Sequence, residues 1–315
     1  MPASVLHNPH PAVRTLDAAA FDYKGYGWRH VTVALDEFGV LLLTLNRPER
    51  HNAYTNEMCH DIVFALELAD ADPRVKAVVM TGAGKSYCAG ADLAGGFGAS
   101  DPNLSLNQHR DGGGQASGAV LRCRKLVVAA VNGNAVGVGI TMILPADLRL
   151  VSKDAKVGLP FTKRGITLEG MSAYILPRLV GHANALEIAM TGDVYPATSP
   201  KWAQLWNQVL PAEEVLPTAL ALARRLAQEN SVVSMALNKQ LLWRTPDTPE
   251  ATHLLDSKCI YETSRGDAQE GIKSFMEKRK AQFPGTMKDL ERFGFYPWWT
   301  QPDVEGTKTR GLAKL

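Results

Sequence analysis

Two short segments of small residues could stabilise negative charge on a bound ligand. The first is residues 88–93, Cys-Ala-Gly-Ala-Asp-Leu, and the second is residues 132–139, Asn-Gly-Asn-Ala-Val-Gly-Val-Gly. Each follows an apolar run that is typical of a β-strand and opens towards a loop or a helix. Small residues let backbone N–H groups approach a ligand closely. Two such groups aimed at one point would form an oxyanion hole, which stabilises charge developing on a carbonyl oxygen.

The predicted start of a helix in the second segment favours binding of an anionic group. Residues 137–139, Gly-Val-Gly, lie where an apolar strand is predicted to turn into a helix. The first N–H groups of a helix have no acceptor within it and lie at the positive end of its dipole, so they favour an anionic oxygen. From the spacing alone, a closely packed turn explains these glycines equally well, and both interpretations stay open at this point.

The overall composition excludes several function classes. The 315 residues are 45% hydrophobic and 21% charged, which is ordinary for a globular chain of one large or two small domains. A net charge of +2 argues against nucleic-acid binding, which needs a clustered basic excess. None of the four cysteines forms a Cys-x-x-Cys pair and the histidines are scattered, so we predict no metal site. The uncharged residues 126–146 are interrupted by Asn132 and Pro145, which favours a buried strand–turn–helix over a membrane span.

Strands and helices are predicted to alternate along most of the chain. The hydrophobic pattern predicts a β-hairpin over residues 31–45, a helix near residues 58–69 and a strand over residues 75–81. Later strands are predicted at residues 126–131, 148–151 and 156–159, and later helices at residues 171–180, 183–190, 216–229 and 267–282. The polar, glycine-rich residues 94–118 are predicted to be mobile. This alternation predicts an α/β fold with a helical C-terminal part.

Four segments in a fixed order resemble the crotonase superfamily, the enoyl-CoA hydratases and isomerases. They are residues 45–53, 87–93, 130–133 and 270–280, and the likeness covers about residues 28–284. The resemblance implies a crotonase-like ββα spiral core over residues 28–225 and a helical trimerisation region over residues 226–284. An N-terminal arm of residues 1–27 and a C-terminal extension of residues 285–315 lie outside these two parts. The resemblance also implies assembly as a homotrimer or homohexamer.

The resemblance implies an acyl-CoA substrate and no separate cofactor. In the family, two backbone N–H groups bind the thioester oxygen, and here they map to Ala89 and Val138. The further substrate-binding residues that it implies are Ala53, Cys88, Gly90, Ala91, Asp92, Leu93, Gly137, Phe275 and Lys278. Phe275 and Lys278 correspond to contacts with the nucleotide end of coenzyme A, often across a subunit boundary. A solvated basic face is the alternative interpretation of Lys278 and the two basic residues after it.

The candidate catalytic carboxylates depart from the hydratase pattern. Hydratases of the family hold two glutamates at positions that here are Thr141 and Phe161. Residues 166–172, Ile-Thr-Leu-Glu-Gly-Met-Ser, instead resemble peroxisomal 3,2-enoyl-CoA isomerases, whose catalytic glutamate maps to Glu169. One base suffices for such an isomerase, because a proton leaves C2 and returns at C4 without addition of water. From the residue pattern alone, Glu169 is more simply an acidic residue at the start of a helix, and the resemblance is what favours catalysis.

Two other hypotheses accompany the 3,2-enoyl-CoA isomerase. One is a different reaction on an acyl-CoA by the same fold, such as hydration, dehydration, hydrolysis or a lyase reaction. The other is a subunit that binds acyl-CoA without turnover. Asp92 and Asp147 are rival carboxylates. We interpret Asp92 as orienting the oxyanion loop and Asp147 as a residue at the start of a strand.

The last three residues match the pattern of an organelle-targeting signal. The chain ends in Ala313-Lys314-Leu315, a close variant of the Ser-Lys-Leu signal that the peroxisomal import receptor reads. Chance is the alternative, but a fatty acyl ligand favours the signal, so we predict a peroxisomal enzyme of fatty acid β-oxidation. An aromatic cluster lies upstream and is predicted to cover either the protein's own surface or a subunit interface. Its members are Phe293, Phe295, Tyr296, Trp298 and Trp299.

Overall fold

Ten β-strands form two sheets in the computed structural model, which describes residue 13, residues 16–94 and residues 109–300. The larger sheet has the order β1 (Val31–Leu35), β2 (Val40–Leu45), β3 (Ala77–Gly82), β5 (Leu126–Val131), β7 (Leu148–Ser152) and β10 (Gln208–Leu210). The smaller sheet has the order β4 (Ser86–Cys88), β6 (Asn134–Val136), β8 (Lys156–Gly158) and β9 (Val194–Pro196). The pairs β1–β2 and β8–β9 are antiparallel, and the other neighbouring strands are parallel.

The chain spirals by alternating between the two sheets. Short turns lead from β3 into β4, from β5 into β6 and from β7 into β8, so each of these strands of the larger sheet is followed by one of the smaller sheet. Helix α1 (Asn56–Ala71) precedes β3, α2 (Gly112–Arg122) precedes β5 and the short α3 (Val138–Thr141) precedes β7. The predicted α/β fold class with a crotonase-like spiral core is confirmed.

Helices dominate the rest of the described chain. They are α4 (Ser172–Val180), α5 (His182–Thr191), α6 (Ala212–Glu229), α7 (Val232–Trp243), α8 (Pro249–Ser264), α9 (Asp267–Met276) and α10 (Met287–Arg292). None of the helices in the described ranges is long and apolar enough to cross a membrane.

The central strands are buried on both faces. Every residue of β3 and β5 is buried, which explains why both read as continuous apolar runs rather than as alternating patterns. On one face of the larger sheet, α6 packs through Val215, Ala219, Ala223 and Ala227, whose four-residue spacing forms one helical stripe. The predicted boundary after residue 225 therefore falls inside a helix that covers the core sheet, and this helix continues to Glu229.

The described part of the C-terminal extension, residues 285–300, packs on the helices that precede it. Met287 and Leu290 of α10 and the ring of Phe293 share one hydrophobic cluster with α7 and α8. The Trp298 indole N–H donates to the Arg244 carbonyl at 3.0 Å. The aromatic cluster thus packs on the protein's own surface, as one of the two alternatives predicted, and its part in a subunit interface stays a prediction. The tripeptide Ala313-Lys314-Leu315 and most of the N-terminal arm lie outside the described residues.

The predicted mobility of residues 94–118 is wrong for its last part. Helix α2 begins at Gly112, and the Asp111 side chain caps it by accepting a hydrogen bond from the Gly114 N–H. Asp is among the best residues at this position, so the cap and buried contacts described below outweigh the low helix propensity of glycine. Residues 95–108 of the stretch lie outside the described part of the chain.

Candidate active site

Parallel pairing of β4 and β6 brings the two glycine-rich segments together. Ser86 lies opposite Asn134 and Cys88 opposite Ala135, so the residues that follow both strands meet at one edge of the smaller sheet. A Cβ atom at Gly137 would lie 3.9 Å from the Gly90 Cα. Both glycines have positive φ angles, +56° and +100°, which side-chain-bearing residues rarely adopt. The segments predicted to form an oxyanion hole are therefore adjacent.

The N–H groups of Ala91 and Val138, one from each segment, are unpaired at this edge of the described structure. Among the described residues, neither group has a hydrogen-bond acceptor. Val138 is the first residue of α3, where a helix leaves its N–H groups unpaired. The Ala89 N–H, in contrast, donates to the His51 carbonyl at 3.0 Å. This corrects the prediction for Ala89, because its N–H would have to break that bond to bind a thioester oxygen.

A loop after β2 holds the first oxyanion segment in place. The Tyr54 N–H donates to the Gly90 carbonyl, and the Asp92 N–H donates to the Tyr54 carbonyl, each at 2.8 Å. The Arg47 guanidinium donates to the Asp92 carboxylate at 2.9 Å and to the Ala53 carbonyl at 2.6 Å. The Ala94 N–H and Arg47 lower the pKa of Asp92 by stabilising its ionised form. Asp92 thus has the orienting role that we inferred from the sequence.

Glu169 approaches the site from the loop before α4. Its Oε1 accepts a hydrogen bond from the Thr141 hydroxyl, which lies at the C-terminal end of α3. The next residue, Gly170, has a φ of +62°, and a Cβ there would lie 3.0 Å from that hydroxyl oxygen. Burial raises the pKa of Glu169 to about 8 against the opposing effect of the Thr141 hydrogen bond. The carboxyl group is therefore poised to exchange protons near neutral pH.

The first turn of α2 forms the other wall beside Glu169. A Cβ atom at Gly113 would lie only 1.5 Å from Glu169 Oε2, so the carboxyl group occupies the space that a side chain would need. The Tyr54 hydroxyl donates to the Gly112 carbonyl at 2.7 Å, and the Cys59 thiol donates to the same oxygen at 3.4 Å. These bonds fix the glycine turn against α1 and the loop before it.

A family model described as "Enoyl-CoA hydratase/isomerase" matches residues 36–286 of this chain. The chain belongs to the enoyl-CoA hydratase/isomerase family. It is 41% identical over 272 residues to enoyl-CoA hydratase AFT3-1 of Alternaria alternata, covering 85% of this chain and 91% of that protein. It is also 33% identical over 261 residues to 1,2-epoxyphenylacetyl-CoA isomerase of Escherichia coli K12, covering 79% and 96% of the two chains.

Solved structures of the enoyl-CoA hydratase/isomerase family share this fold. The crystal structure of enoyl-CoA hydratase from Bacillus anthracis aligns with a TM-score of 0.71 at 27% identity, covering 82% of this chain and all of that chain. The crystal structure of enoyl-CoA hydratase subunit I from Geobacillus kaustophilus HTA426 gives a TM-score of 0.74 at 29% identity, covering 83% of this chain and all of that chain.

The other predicted substrate-binding residues of this hydratase/isomerase differ in how far they are exposed to solvent. Cys88 is fully buried, which raises the pKa of its thiol to about 12, whereas Leu93 is half exposed. Phe275 on α9 is 80% exposed. In the described part of the chain, the backbone hydrogen bonds of Phe275 and Lys278 do not reach the residues around Glu169. Their contact with coenzyme A stays a prediction.

Asp147 has the structural role that the sequence suggested. Its carboxylate accepts from the Val127 N–H at 2.7 Å and pairs with the buried Lys239 ammonium at 3.1 Å. Within residues 16–94 and 109–300, the structure shows no cluster of His, Cys, Asp and Glu side chains that could hold a metal ion.

The sequence patterns did not indicate that Tyr54, Asp111 and Gly113 belong to the site. Tyr54 is buried, which raises the pKa of its hydroxyl well above the usual range. The Asp at residue 111 is typical of a helix cap. The three Gly that follow it at residues 112–114 favoured the prediction of a mobile segment instead. No sequence signal indicated that the missing side chain of Gly113 accommodates Glu169.

Proposed function

We propose that this enzyme is a 3,2-enoyl-CoA isomerase in which Glu169 carries the proton. The observation that supports it best is the half-buried Glu169 carboxyl group, which faces residues of the oxyanion helix and has a raised pKa. At the two positions where hydratases hold glutamates, this chain has Thr141 and Phe161. Thr141 binds Glu169, and the Phe161 ring carbon Cε1 would lie 3.5 Å from a Cβ atom at Gly137, so an aromatic ring faces the oxyanion turn.

The proposed reaction needs no group beyond these residues and the substrate. The Glu169 carboxylate takes a proton from C2 of a 3-enoyl-CoA, and the C–H electron pair delocalises into a dienolate. The negative charge rests on the thioester oxygen, which binds the N–H groups of Ala91 and Val138, and each such donor typically contributes about 3–4 kcal/mol. Glu169 then returns the proton to C4, which leaves the double bond between C2 and C3.

The direct test is incubation of the enzyme with a 3-enoyl-CoA and no added cofactor. We expect 2-enoyl-CoA to accumulate, and we expect Glu169→Gln to reduce kcat by roughly 10²–10⁴, the usual contribution of a positioned acid–base group. Glu214→Gln, on the exposed side of α6, is the matched control and should retain full rate. Absence of product with the wild-type enzyme, or full activity of Glu169→Gln, would rule the proposal out.

Hydration is the second candidate because AFT3-1 is named an enoyl-CoA hydratase. Addition of water to a 2-enoyl-CoA requires a base for the water and an acid for C2, and Glu169 has a second carboxylate, Asp111, beside it. Mass analysis of the products from a 2-enoyl-CoA distinguishes the two reactions, since hydration adds the mass of water and isomerisation does not. Binding of acyl-CoA without either product would instead favour the non-catalytic subunit.

We also propose that the enzyme acts in peroxisomes, since Ala313-Lys314-Leu315 fits an import signal and an acyl-CoA substrate fits that compartment. A fluorescent protein fused to the N-terminus should co-localise with a peroxisomal marker. Deletion of the last three residues should disperse it, whereas a fusion that remains dispersed with the intact terminus would contradict the proposal.

A further inference from the structure

We propose that Asp111 is a positioning residue for Glu169: the two carboxyl groups form a pair in which Asp111, fixed at the start of α2, orients Glu169. This inference deepens the proposed function, since it concerns the same acid–base group, and it rests on Glu169 being that group. Asp111 matches neither of the two hydratase glutamate positions, which here are Thr141 and Phe161.

Two consecutive glycines lie beside the two carboxyl groups, which also interact with each other. A Cβ atom at Gly113 would lie 1.5 Å from Glu169 Oε2, and one at Gly114 would lie 2.7 Å from Asp111 Oδ2. The Glu169 carboxyl group thus occupies the position of a Gly113 side chain, and the Asp111 carboxyl group lies too close to Gly114 for a Cβ atom there. Asp111 is held there by its own cap, because its Oδ1 accepts from the Gly114 N–H at 2.5 Å.

Gly112, the first glycine of the turn, lies beside Tyr54. A Cβ atom at Gly112 would lie 3.4 Å from Cε1 of the Tyr54 ring, whose hydroxyl binds the Gly112 carbonyl. Gly113 and Gly114 leave room for Glu169 and Asp111, whereas a Cβ atom at Gly112 would make an ordinary van der Waals contact with Tyr54.

The groups that face Glu169 come from three parts of the fold. Thr141 of α3 donates a hydrogen bond, which favours the ionised carboxylate. Tyr54 and Cys59 both have raised pKa values because they are buried, so they face the site as neutral groups. Asp111 adds to burial in raising the pKa of Glu169, first through a side-chain hydrogen bond and then through its negative charge. Thr141 therefore lowers the pKa of Glu169, and Asp111 raises it.

If Asp111 acts on Glu169, its removal should change the pH dependence of the rate, which the loss of a purely structural residue would not do. Removal of the Asp111 charge should make Glu169 ionise at lower pH and should make its carboxylate a weaker base. For isomerisation, we expect the acidic limb of the pH–rate profile to move down by about one pH unit, and the plateau rate to fall about threefold. Loss of the Thr141 hydroxyl should move the limb up.

The experiment compares Asp111→Asn with the wild-type enzyme. Asn caps helices as well as Asp does, so this variant removes the charge and retains the N-cap. Asp111→Ser is a second capping variant in case Asp111→Asn folds poorly. Thr141→Val should shift the profile oppositely. Asp154→Asn removes an exposed carboxylate elsewhere and should leave the profile unchanged.

Titration of Glu169 in the substrate-free protein separates this inference from the proposed reaction. The carboxyl carbon of Glu169 can be followed by NMR after ¹³C labelling and assigned by its loss in Glu169→Gln. A lower midpoint in Asp111→Asn supports the pair even if the enzyme proves not to be an isomerase. An unchanged midpoint, or equal shifts in Asp111→Asn and Asp154→Asn, would overturn it even if isomerisation is confirmed.

Discussion

Glu169 has the protonation behaviour of a catalytic group because its environment disfavours the charged form. Burial is the largest effect and raises its pKa to about 8, so the group is mostly protonated at pH 7. As the base of an isomerase it must be ionised. We therefore expect kcat/KM for a 3-enoyl-CoA to rise with pH and to level off above about pH 8. A rate that falls above pH 8 would show that Glu169 acts as an acid, as hydration of a 2-enoyl-CoA would require.

Gly113 makes that position of Glu169 possible. We expect Gly113→Ala to displace the carboxyl group, since the new methyl group would overlap Oε2, and to lower kcat by at least tenfold, the order expected for a misplaced catalytic group. Gly118→Ala on the same helix is the matched control. Its methyl group would meet only the end of the flexible Arg122 side chain, and alanine favours the helix. Steady-state kinetics and circular dichroism of both variants check this expectation, and equal kcat values would contradict it.

Pairing between secondary-structure elements, rather than any single side chain, forms the oxyanion site. Parallel β4 and β6 align the two segments, and the start of α3 leaves the Val138 N–H without an acceptor. Helix α2 completes the site through a glycine turn that binds Tyr54 and Cys59. Each element contributes backbone geometry, which explains why small residues dominate these segments.

The docking of α10 is expected to stabilise the C-terminal helices without taking part in catalysis. Leu290 is fully buried against α7 and α8, so Leu290→Ala should lower the free energy of unfolding by about 2–4 kcal/mol. Lys288→Ala, at an exposed position of the same helix, should change it by less than about 0.5 kcal/mol. Urea denaturation measures both values. Equal stability of the two variants would show that α10 does not contribute to the hydrophobic core.

At the scale of the whole molecule, exposed apolar side chains on α8 and α9 suggest assembly. Ile272, Phe275 and Met276 are more than half exposed and share one face of α9, and Leu254 and Ile260 are similarly exposed on α8. Apolar surface of this kind is often covered by another subunit. The family resemblance implies a homotrimer or homohexamer, and this surface is a candidate interface.

A charge in this surface should weaken the assembly. We expect Ile272→Asp to shift the mass measured by light scattering towards that of one chain, because a buried unpaired carboxylate opposes association. Ala221→Glu adds a charge at an exposed position of α6 and should leave the oligomeric state unchanged. A wild-type protein that is already monomeric would contradict the assembly.

Much of the fold follows from local patterns in the sequence. The hairpin predicted over residues 31–45 is present as β1 and β2, and the strand predicted over residues 126–131 matches β5. Continuous apolar runs mark strands that are buried on both faces, so they are recognisable without the structure. Local pattern failed at α2, where glycine predicted mobility but the Asp111 cap and the contacts with Tyr54 and Cys59 hold a helix.

The sequence by itself determined the family, the position of the oxyanion segments and the candidate base, Glu169, because these are properties of ordered local motifs. The tertiary structure decided which N–H groups are free. Ala89 and Ala91 are equivalent small residues in the sequence, and they differ only because the His51 carbonyl lies within reach of the first. It also decided the protonation of Glu169 and brought Asp111 to its side. Burial and contact between residues far apart in the chain are properties of the folded molecule, and no local pattern records them.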